Sequence, residues 1–511
     1  MTLPVIKTVQ FRQTPTLANL ATRLLVIIAD ESHIEQKKIT SAELTSIDLE
    51  LGGAVGELVD LGDFEGKWLQ TATTLSPRKA IAQRLIVIGA GKKDDQLTAR
   101  ARQLGILIGE ESQKMKANQV AIVGSSRFYA EATLREQIAL GFRAGVFKYP
   151  NSNLSEEART QLEIPAELTF VREPQSGTVD WEFVKSLGRA TDDCRLLQDG
   201  PANIVTPKFV SEHAAKRAQE LGISIQVWGA DRLREAGFGA MMAVGGGSIH
   251  EPQFVVMEYK PQNFSKTLAL VGKGLTYDSG GYSMKPATSQ VGMKYDMSGA
   301  AVSLSAALAI AELKLPIRVF GIAALCENMV DSKAYRVNDI VTTYGGKTIE
   351  ILNTDAEGRV VLADALSYTS KELKPDYIVE YSTLTGAMVV ALGHYGAGVF
   401  SFPDSSLGKV IEQASAQCGE KVWTLPTWEE ISEDIKGKMA DVNNIGATTG
   451  NAGSIVAAMF LKEFTGDVPY AHVDIAGVSN DNMAIGFTRK TGSGYGVQLS
   501  VEIARQLCGG K

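Results

Sequence analysis

Short apolar runs alternate with amphipathic segments of helical period along most of the chain. In the first third, strands are predicted at residues 5–11, 24–29, 85–88 and 120–123, with helices at 97–109 and 130–147. Further on, strands are predicted at 254–259, 268–271, 319–325, 349–352, 377–381 and 472–475, with helices at 299–313 and 359–371. Alternation of strands and helices is typical of layered α/β folds. The pattern therefore predicts an α/β fold, with a mixed central sheet flanked by helices in the later part.

The chain is long enough for more than one domain, and a boundary is suggested near residue 180. Residues 173–177 contain proline, serine and glycine and indicate a loop, and residues 181–197 have helical character. We therefore predict two α/β domains: a smaller, variable N-terminal domain at 1–178 and a larger C-terminal catalytic domain at 201–511. A linker helix at 179–200 would join them.

Residues 381–403 carry no charge, which is long enough to raise the question of a membrane span. Several glycines interrupt this run, so we predict a buried strand, a glycine turn and a second strand, with no membrane segment. The first 29 residues contain no acid, but the strands predicted there leave little room for a targeting presequence.

Composition narrows the possible chemistry. The 511 residues include only five histidines and four cysteines, all scattered singly, with no H-E-x-x-H and no C-x-x-C pattern. A metal enzyme with this sequence would need carboxylate ligands. Isolated cysteines are compatible with a reducing compartment, and a cytoplasmic location is expected. The net charge of −7 makes nucleic acid an unlikely partner.

Two glycine-rich segments, 271–286 and 353–359, combine apolar flanks with several charged residues. Asp355, Glu357 and Arg359 alternate, so in an extended stretch they would project to one side. Taken alone, the D-A-E-G-R run favours an ordinary salt-bridged helix start. The first segment adds Lys273, Asp278 and Lys285, and Asp296 follows it just before the helix predicted at 299. So many charges among Gly, Met, Tyr and Ala would be costly to bury unpaired, which favours a site for a hard cation.

These segments closely resemble the signatures of the leucyl aminopeptidase, or cytosol aminopeptidase, family. That family carries N-T-D-A-E-G-R, and G-K-G-x-T-[FY]-D-S-G-G-x-x-x-K at a similar separation. The resemblance extends through the back half, over residues 294–297, 327–329, 383–386, 440–446 and 471–477. The front half resembles the family only in its general α/β character. The differences, such as Val360, Tyr277 and Tyr381 in place of more usual residues, remove no ligand.

The resemblance implies two divalent metal ions per subunit, manganese or zinc, with cobalt or magnesium as alternatives. Asp278 and Glu357 would bridge the ions, Lys273 and Asp296 would complete the tighter site, and Asp355 the more exchangeable one. A lysine ligand must be a neutral amine, which two neighbouring dications would favour.

Two further roles follow from the resemblance. Lys285 would polarise the substrate carbonyl and should stay cationic to stabilise the oxyanion. Arg359 would hold a bicarbonate or a water that relays a proton. A homohexamer is also implied.

The expected activity is hydrolysis of the N-terminal residue, preferably Leu or another apolar residue, from peptides with a free N-terminus. Met293 and the apolar residues 452–455 are candidates for the first side-chain pocket, although core packing explains Met293 equally well. Thr383, Leu384 and Gly386 are further substrate-binding candidates. The competing hypotheses are a catalytically silent structural or DNA-binding member of the same fold, and a different two-metal hydrolase such as a phosphoesterase.

Overall fold

The computed structural model describes residues 7–14, 16–17, 20–92, 96–149, 166–171, 177–402, 406–446, 451–480 and 491–509. The chain forms two compact units, Met1–Gly188 and Arg189–Lys511. The division falls inside one continuous helix, Trp181–Asp199. A helix is thus present where a linker helix is expected, and its assignment as a separate linker at 179–200 stays a prediction.

Within the described residues, the N-terminal unit contains eight strands, and six of them form one sheet. Its strands are β1 (Val9–Thr14), β2 (Thr22–Ala29), β3 (Ile34–Glu35), β4 (Lys38–Ile39), β5 (Thr71–Leu75), β6 (Ala82–Gly89), β7 (Gln119–Gly124) and β8 (Ala166–Val171). Its helices are α1 (Ala42–Glu50), α2 (Ala54–Leu61), α3 (Leu97–Lys114), α4 (Arg127–Ala130) and α5 (Ala132–Val146). The sheet order is β1-β8-β7-β2-β6-β5, with β5 antiparallel to β6 and the other neighbours parallel, while β3 and β4 form a separate hairpin.

Most predicted elements of this unit lie inside observed ones. The strands at 24–29, 85–88 and 120–123 fall within β2, β6 and β7, whose apolar residues are buried. The strand predicted at 5–11 is observed as Val9–Thr14, and residues 5–6 lie outside the described residues. The helix predicted at 130–147 is observed as α5, Ala132–Val146, while Ala130 ends the short helix α4 and Glu131 between them has an extended backbone.

Helices α3 and α5 pack so closely that glycine is required at their contact. A Cβ added at Gly141 would lie 2.2 Å from the carbonyl oxygen of Arg102 and 3.0 Å from the Cα of Gly105. In a helix with free space, Gly→Ala stabilises by about 1 kcal/mol. Here the added methyl group meets backbone that cannot move alone, so overpacking should reverse the sign.

We therefore expect Gly141→Ala to lower the free energy of unfolding by about 1–3 kcal/mol. Urea unfolding of the full chain, followed by circular dichroism, measures this change. An unchanged or raised stability would show that the two helices can separate without loss.

The C-terminal unit contains the remaining elements. Its strands are β9 (Ser224–Trp228), β10 (Gln253–Tyr259), β11 (Thr267–Asp278), β12 (Arg318–Asn328), β13 (Ile340–Thr342), β14 (Thr348–Glu350), β15 (Tyr377–Ser382), β16 (Ala397–Phe402), β17 (Val422–Thr424), β18 (Val442–Asn443) and β19 (Tyr470–Asp474). Its helices are α6 (Trp181–Asp199, shared with the first unit), α7 (Pro207–Leu221), α8 (Ala230–Ala236), α9 (Gly239–Gly245), α10 (Ala287–Gln290), α11 (Ser298–Glu312), α12 (Glu357–Tyr368), α13 (Gly386–Leu392), α14 (Ser406–Cys418), α15 (Gly453–Lys462) and α16 (Val497–Leu507).

An eight-stranded mixed sheet forms the centre of this unit, as predicted. Its order is β17-β16-β19-β15-β11-β12-β10-β9. The four middle strands, β19, β15, β11 and β12, are parallel to one another, so their carboxyl ends meet at one edge, whereas β16 and β10 pair with them antiparallel on either side. Helices α11 and α12 pack on β11 and β12. Ligands of open α/β sheets bind at such an edge.

The uncharged segment that begins at residue 381 differs from its prediction. The two strands are present as β15 and β16, but residues 386–392 form helix α13 rather than a glycine turn. The side chain of Thr385 caps this helix by accepting a hydrogen bond from the amide of Met388. Among the residues that the structure describes, no helix is long and apolar enough to cross a membrane.

Candidate metal and catalytic site

The five residues assigned to metal binding lie in one cluster. Asp278, Asp355 and Glu357 each place a carboxylate oxygen within 4.8 Å of the other two. Lys273 Nζ lies 2.9 Å from Asp296 Oδ2 and 2.8 Å from Glu357 Oε1. Residues separated by up to 84 positions in sequence therefore share one small volume.

The cluster is assembled at the carboxyl edge of the sheet. Lys273 and Asp278 lie on β11, which continues to residue 278 instead of ending at 271 as predicted. Asp296 lies in a short 3-10 turn, Met293–Met297, and Glu357 is the first residue of α12. A Cβ added at Gly358 would lie 2.5 Å from Lys273 Cε, so this glycine leaves the room that the lysine side chain occupies.

The local conformation around Asp355 differs from the extended stretch expected from its alternation with Glu357 and Arg359. Helix α12 begins at Glu357, so Asp355 precedes it, in a turn where the backbone N–H of Asp355 donates to Asn353 Oδ1 at 2.8 Å. The early helix start places Glu357 and Arg359 in the first turn, where free N–H groups favour negative charge. The carboxylates still converge, but through a helix terminus rather than a strand face.

Lys285 contacts the same cluster from the loop that follows β11. Its Nζ lies 2.9 Å from Asp278 Oδ2 and 2.6 Å from Asp355 Oδ1. Burial lowers the pKa of this ammonium, but the charges of Asp278 and Glu357 outweigh burial and raise the pKa above its ordinary value. The neighbouring carboxylates therefore favour the cationic form of Lys285, and its role toward the substrate carbonyl stays a prediction.

Burial is the main influence on the ionisation of the acidic residues. It raises the pKa of Glu357 above its ordinary value, and the negative charge of Asp278 adds to the effect. Burial also raises the pKa of Asp296. For Lys273, burial lowers the pKa, but Asp296 and Glu357 raise it well above its usual value. The two carboxylates thus favour the ammonium form of the lysine, and the neutral amine expected with bound metal stays a prediction.

Arg359 lies beside the cluster and is 8% exposed. Burial lowers its pKa to about 10, while Glu357 and Asp474 favour the charged form. Its Nε is buried without a hydrogen-bond partner. A buried guanidinium with an unused N–H group is suited to bind an anion.

Of the residues proposed for substrate binding, Thr383 contacts the cluster directly, and the others lie close in sequence to residues that contact it. The carbonyl of Thr383 accepts a hydrogen bond from Lys273 Nζ at 3.1 Å, and its hydroxyl donates to Asp296 Oδ1 at 2.8 Å. Leu384 is half-buried and follows directly, and the exposed Gly386 begins α13. Met293 is half-buried at the start of the 3-10 turn that carries Asp296.

Several side chains hold the segments of the cluster in place through hydrogen bonds, although the sequence motifs assign them no role. Asn444 accepts from the amide of Leu352 at 2.8 Å and donates to the carbonyl of Asn353 at 2.6 Å. Asp474 accepts from the amide of Leu384 and, at 2.7 Å, from the hydroxyl of Thr385. Asn444 and Asp474 both fall in segments that resemble the family. The sequence therefore marked these positions, but it did not indicate which groups their side chains contact.

The donor set fits hard divalent cations. Four carboxylates and one amine converge, and Glu357 Oε2 is buried with no hydrogen-bond partner. Carboxylate oxygens are preferred ligands of such ions, and a buried oxygen left unpaired is costly. The fold and this site together define an α/β protein with a candidate metal centre at the carboxyl edge of its central sheet.

Comparison with known proteins identifies the family. The catalytic domain of the cytosol aminopeptidase family matches residues 193–501, and the N-terminal domain of that family matches residues 26–153. The chain belongs to the cytosol aminopeptidase family and is a metal-dependent aminopeptidase.

Individual relatives agree with this assignment. The chain is 38% identical to a probable cytosol aminopeptidase of Roseiflexus castenholzii over 464 residues, which cover 89% of this chain and 93% of the relative. A probable cytosol aminopeptidase of Trichormus variabilis is also 38% identical, over 90% of this chain and 93% of its own length. The solved structure of a mutant leucine aminopeptidase from tomato has a TM-score of 0.87 and 31% identity, and covers 99% of both chains.

Proposed function

We propose that this aminopeptidase uses two divalent metal ions to remove an apolar N-terminal residue, with leucine preferred, from peptides. The observation that carries the proposal is the convergence of four carboxylates and Lys273, with the cationic Lys285 at the same place. Leucine is part of the name of the tomato relative, which supports the preference. Nothing favours the alternative of a catalytically silent or DNA-binding member, since no ligand residue is missing.

The family resemblance implies that Asp278 and Glu357 would bridge the two ions, and their carboxylate oxygens lie within 4.8 Å of each other. Lys273 and Asp296 would hold the tighter ion, and Asp355 the more exchangeable one. Manganese or zinc are the proposed ions, with cobalt or magnesium as substitutes. Such a pair would lower the pKa of a bound water so that hydroxide forms near neutral pH, and would polarise the scissile carbonyl.

Lys285 and Arg359 would act on the substrate and on protons. The Lys285 ammonium lies beside Asp278 and Asp355, so it can stabilise negative charge on the oxygen of the carbonyl under attack. Arg359, with its unused Nε–H, would hold bicarbonate or water, and that group would carry a proton from the attacking water toward the leaving amine.

A free N-terminus is proposed as the recognition element. The acidic cluster suits an α-amino group, and anchoring that group places the first carbonyl over the reacting centre. Met293, Thr383, Leu384 and Gly386 would line the first side-chain pocket, together with residues 452–455. A homohexamer and a cytoplasmic location are proposed from the family resemblance and from the names of the relatives. Nucleic acid is not an expected partner.

The test compares hydrolysis of leucyl-p-nitroanilide with its N-acetylated form, and with lysyl and glutamyl anilides, by the manganese-loaded chain. We expect kcat/KM for leucine to exceed that for the charged residues by about 10–200-fold, since an apolar pocket discriminates by about 1–3 kcal/mol. The acetylated substrate should not react. Equal hydrolysis of the acetylated and free substrates would exclude an aminopeptidase with this recognition mode.

A further inference from the structure

Asn328 lies where the segments that carry Asp278 and Asp355 meet. It is the last residue of β12 and is paired with Asp278, the last residue of β11. The register between these strands shifts after Leu275, so that Tyr277 pairs with Glu327 and Asp278 with Asn328. Such an irregularity redirects side chains. Here it brings the carboxylate of Asp278 beside the Asn328 amide.

The side-chain amide of Asn328 donates both of its hydrogens. Nδ2 lies 2.8 Å from Asp278 Oδ1 and 3.0 Å from the carbonyl oxygen of Thr354. Both partners are acceptors, so the amide nitrogen must face them, and the reversed orientation would oppose oxygen to oxygen. The residue is completely buried, and its Oδ1 has no hydrogen-bond partner. Asn328 thus links the segment that ends β11 to the N-T-D-A-E-G-R segment.

These bonds determine which oxygen of Asp278 faces the cluster. Oδ1 accepts from Asn328 and from the amide of Gly280 at 2.9 Å. Oδ2 is left to face the cluster, where Lys285 Nζ lies 2.9 Å away. The backbone carbonyl of Asn328 also accepts from the amide and the hydroxyl of Ser279, at 3.0 and 2.7 Å. One buried residue therefore fixes both the position and the rotation of Asp278.

We propose that Asn328 is a positioning residue for the metal site, orienting Asp278 as a ligand and holding Asp355 and Glu357 at the correct distance through Thr354. This inference rests on the proposed two-metal function. Partners that orient a metal ligand typically contribute 10–100-fold to metal affinity or activity. In the proposed role, Asn328 contacts no substrate atom and acts only through Asp278 and the Thr354 carbonyl.

The test uses Asn328→Leu, which matches the shape of asparagine, adds no charge and removes both N–H donors. Because Oδ1 is unpaired, its replacement by a methyl group loses no hydrogen bond. Asn328→Ala is the second variant, for use if the leucine does not fit. Asn443→Leu is the matched control, since Asn443 is also buried, donates to one backbone carbonyl, that of Lys436, and has an unpaired Oδ1.

The readouts are the dissociation constant for Mn²⁺, from competition with a chromophoric chelator, the visible spectrum of the cobalt-loaded chain, and kcat and KM. We expect the metal dissociation constant to rise about 10–100-fold in the Asn328 variants. The cobalt spectrum should change, and activity should recover in part at high metal concentration. The control should remain within about twofold of the wild type.

Three results separate the inference from the function on which it rests. Folded Asn328 variants with wild-type metal affinity and cobalt spectrum would overturn the positioning role while leaving the proposed function intact. An equal loss in Asn443→Leu would also overturn the role, because any buried asparagine would then have the same effect. A wild-type chain that hydrolyses the anilide without binding metal would overturn the proposed function itself.

Discussion

Replacing Glu357 by glutamine is expected to reduce bound metal to fewer than two ions per chain and to lower kcat by about 10³-fold or more. The physical reason is the central position of this carboxylate. Oε1 lies 2.8 Å from Lys273 Nζ, and Oε2 is buried without a hydrogen-bond partner. Glutamine keeps the shape but replaces one oxygen by an NH₂ group that cannot bind a cation. Metal content by mass spectrometry, with anilide hydrolysis, measures both effects.

Glu372→Gln provides the matched control for this variant. Glu372 belongs to the turn that follows α12, and its carboxylate accepts a hydrogen bond from the hydroxyl of Tyr344 at 2.9 Å. It lies outside the cluster, so metal content and activity should equal those of the wild type. If Glu357→Gln kept two metals and full activity, Glu357 could not be a bridging ligand.

Replacing Lys285 by methionine is expected to lower kcat by about 10²–10³-fold with both metals retained. Methionine has a similar length and no charge, so the variant removes the cation that lies beside Asp278 and Asp355. Loss of an ammonium from an acidic cluster should not weaken cation binding. The decrease should therefore appear in kcat while the metal dissociation constant stays equal or becomes lower.

Lys371→Met is the control for the lysine variant. Lys371 donates to the carbonyl of Gly345 at 2.7 Å, outside the cluster, and its replacement should leave kcat unchanged. A loss of metal from Lys285→Met that accounts for the whole loss of activity would assign Lys285 to the assembly of the site rather than to catalysis.

The fold was predictable from sequence where apolar runs are long and regular. Strands β2, β6, β7 and β10 enclose or closely match their predicted ranges. The prediction for β11 stopped at residue 271 because the following residues include Lys273 and Asp278, which ordinarily argue against a buried strand. The charged cluster pairs these side chains, so tertiary contacts override the local pattern.

Helix α13 was missed for a different reason. Residues 386–392 form a short apolar run beside glycines, and periodicity cannot distinguish a strand or a turn from a helix over so few residues. The capping side chain of Thr385 was the available signal for a helix start.

The charged site residues were predictable from sequence because they lie in two short motifs and a neighbouring turn. The neutral side chains that hold these charged residues in place were not predictable, because they act through hydrogen bonds between positions that are distant in sequence. Asn328 meets Asp278 and Thr354 across 50 and 26 residues, and Asn444 meets Asn353 across 91. Neutral side chains such as these carry no composition or periodicity signal, and only the register of β11 against β12 reveals the first contact.

The most direct test of a two-metal aminopeptidase is a metal titration of the chelator-stripped chain. Bound manganese and the hydrolysis of leucyl-p-nitroanilide are measured in the same samples. We expect no activity without metal and full activity at two bound ions per chain. Full hydrolysis by the metal-free chain, or two bound ions with no hydrolysis of any peptide that has a free N-terminus, would contradict it.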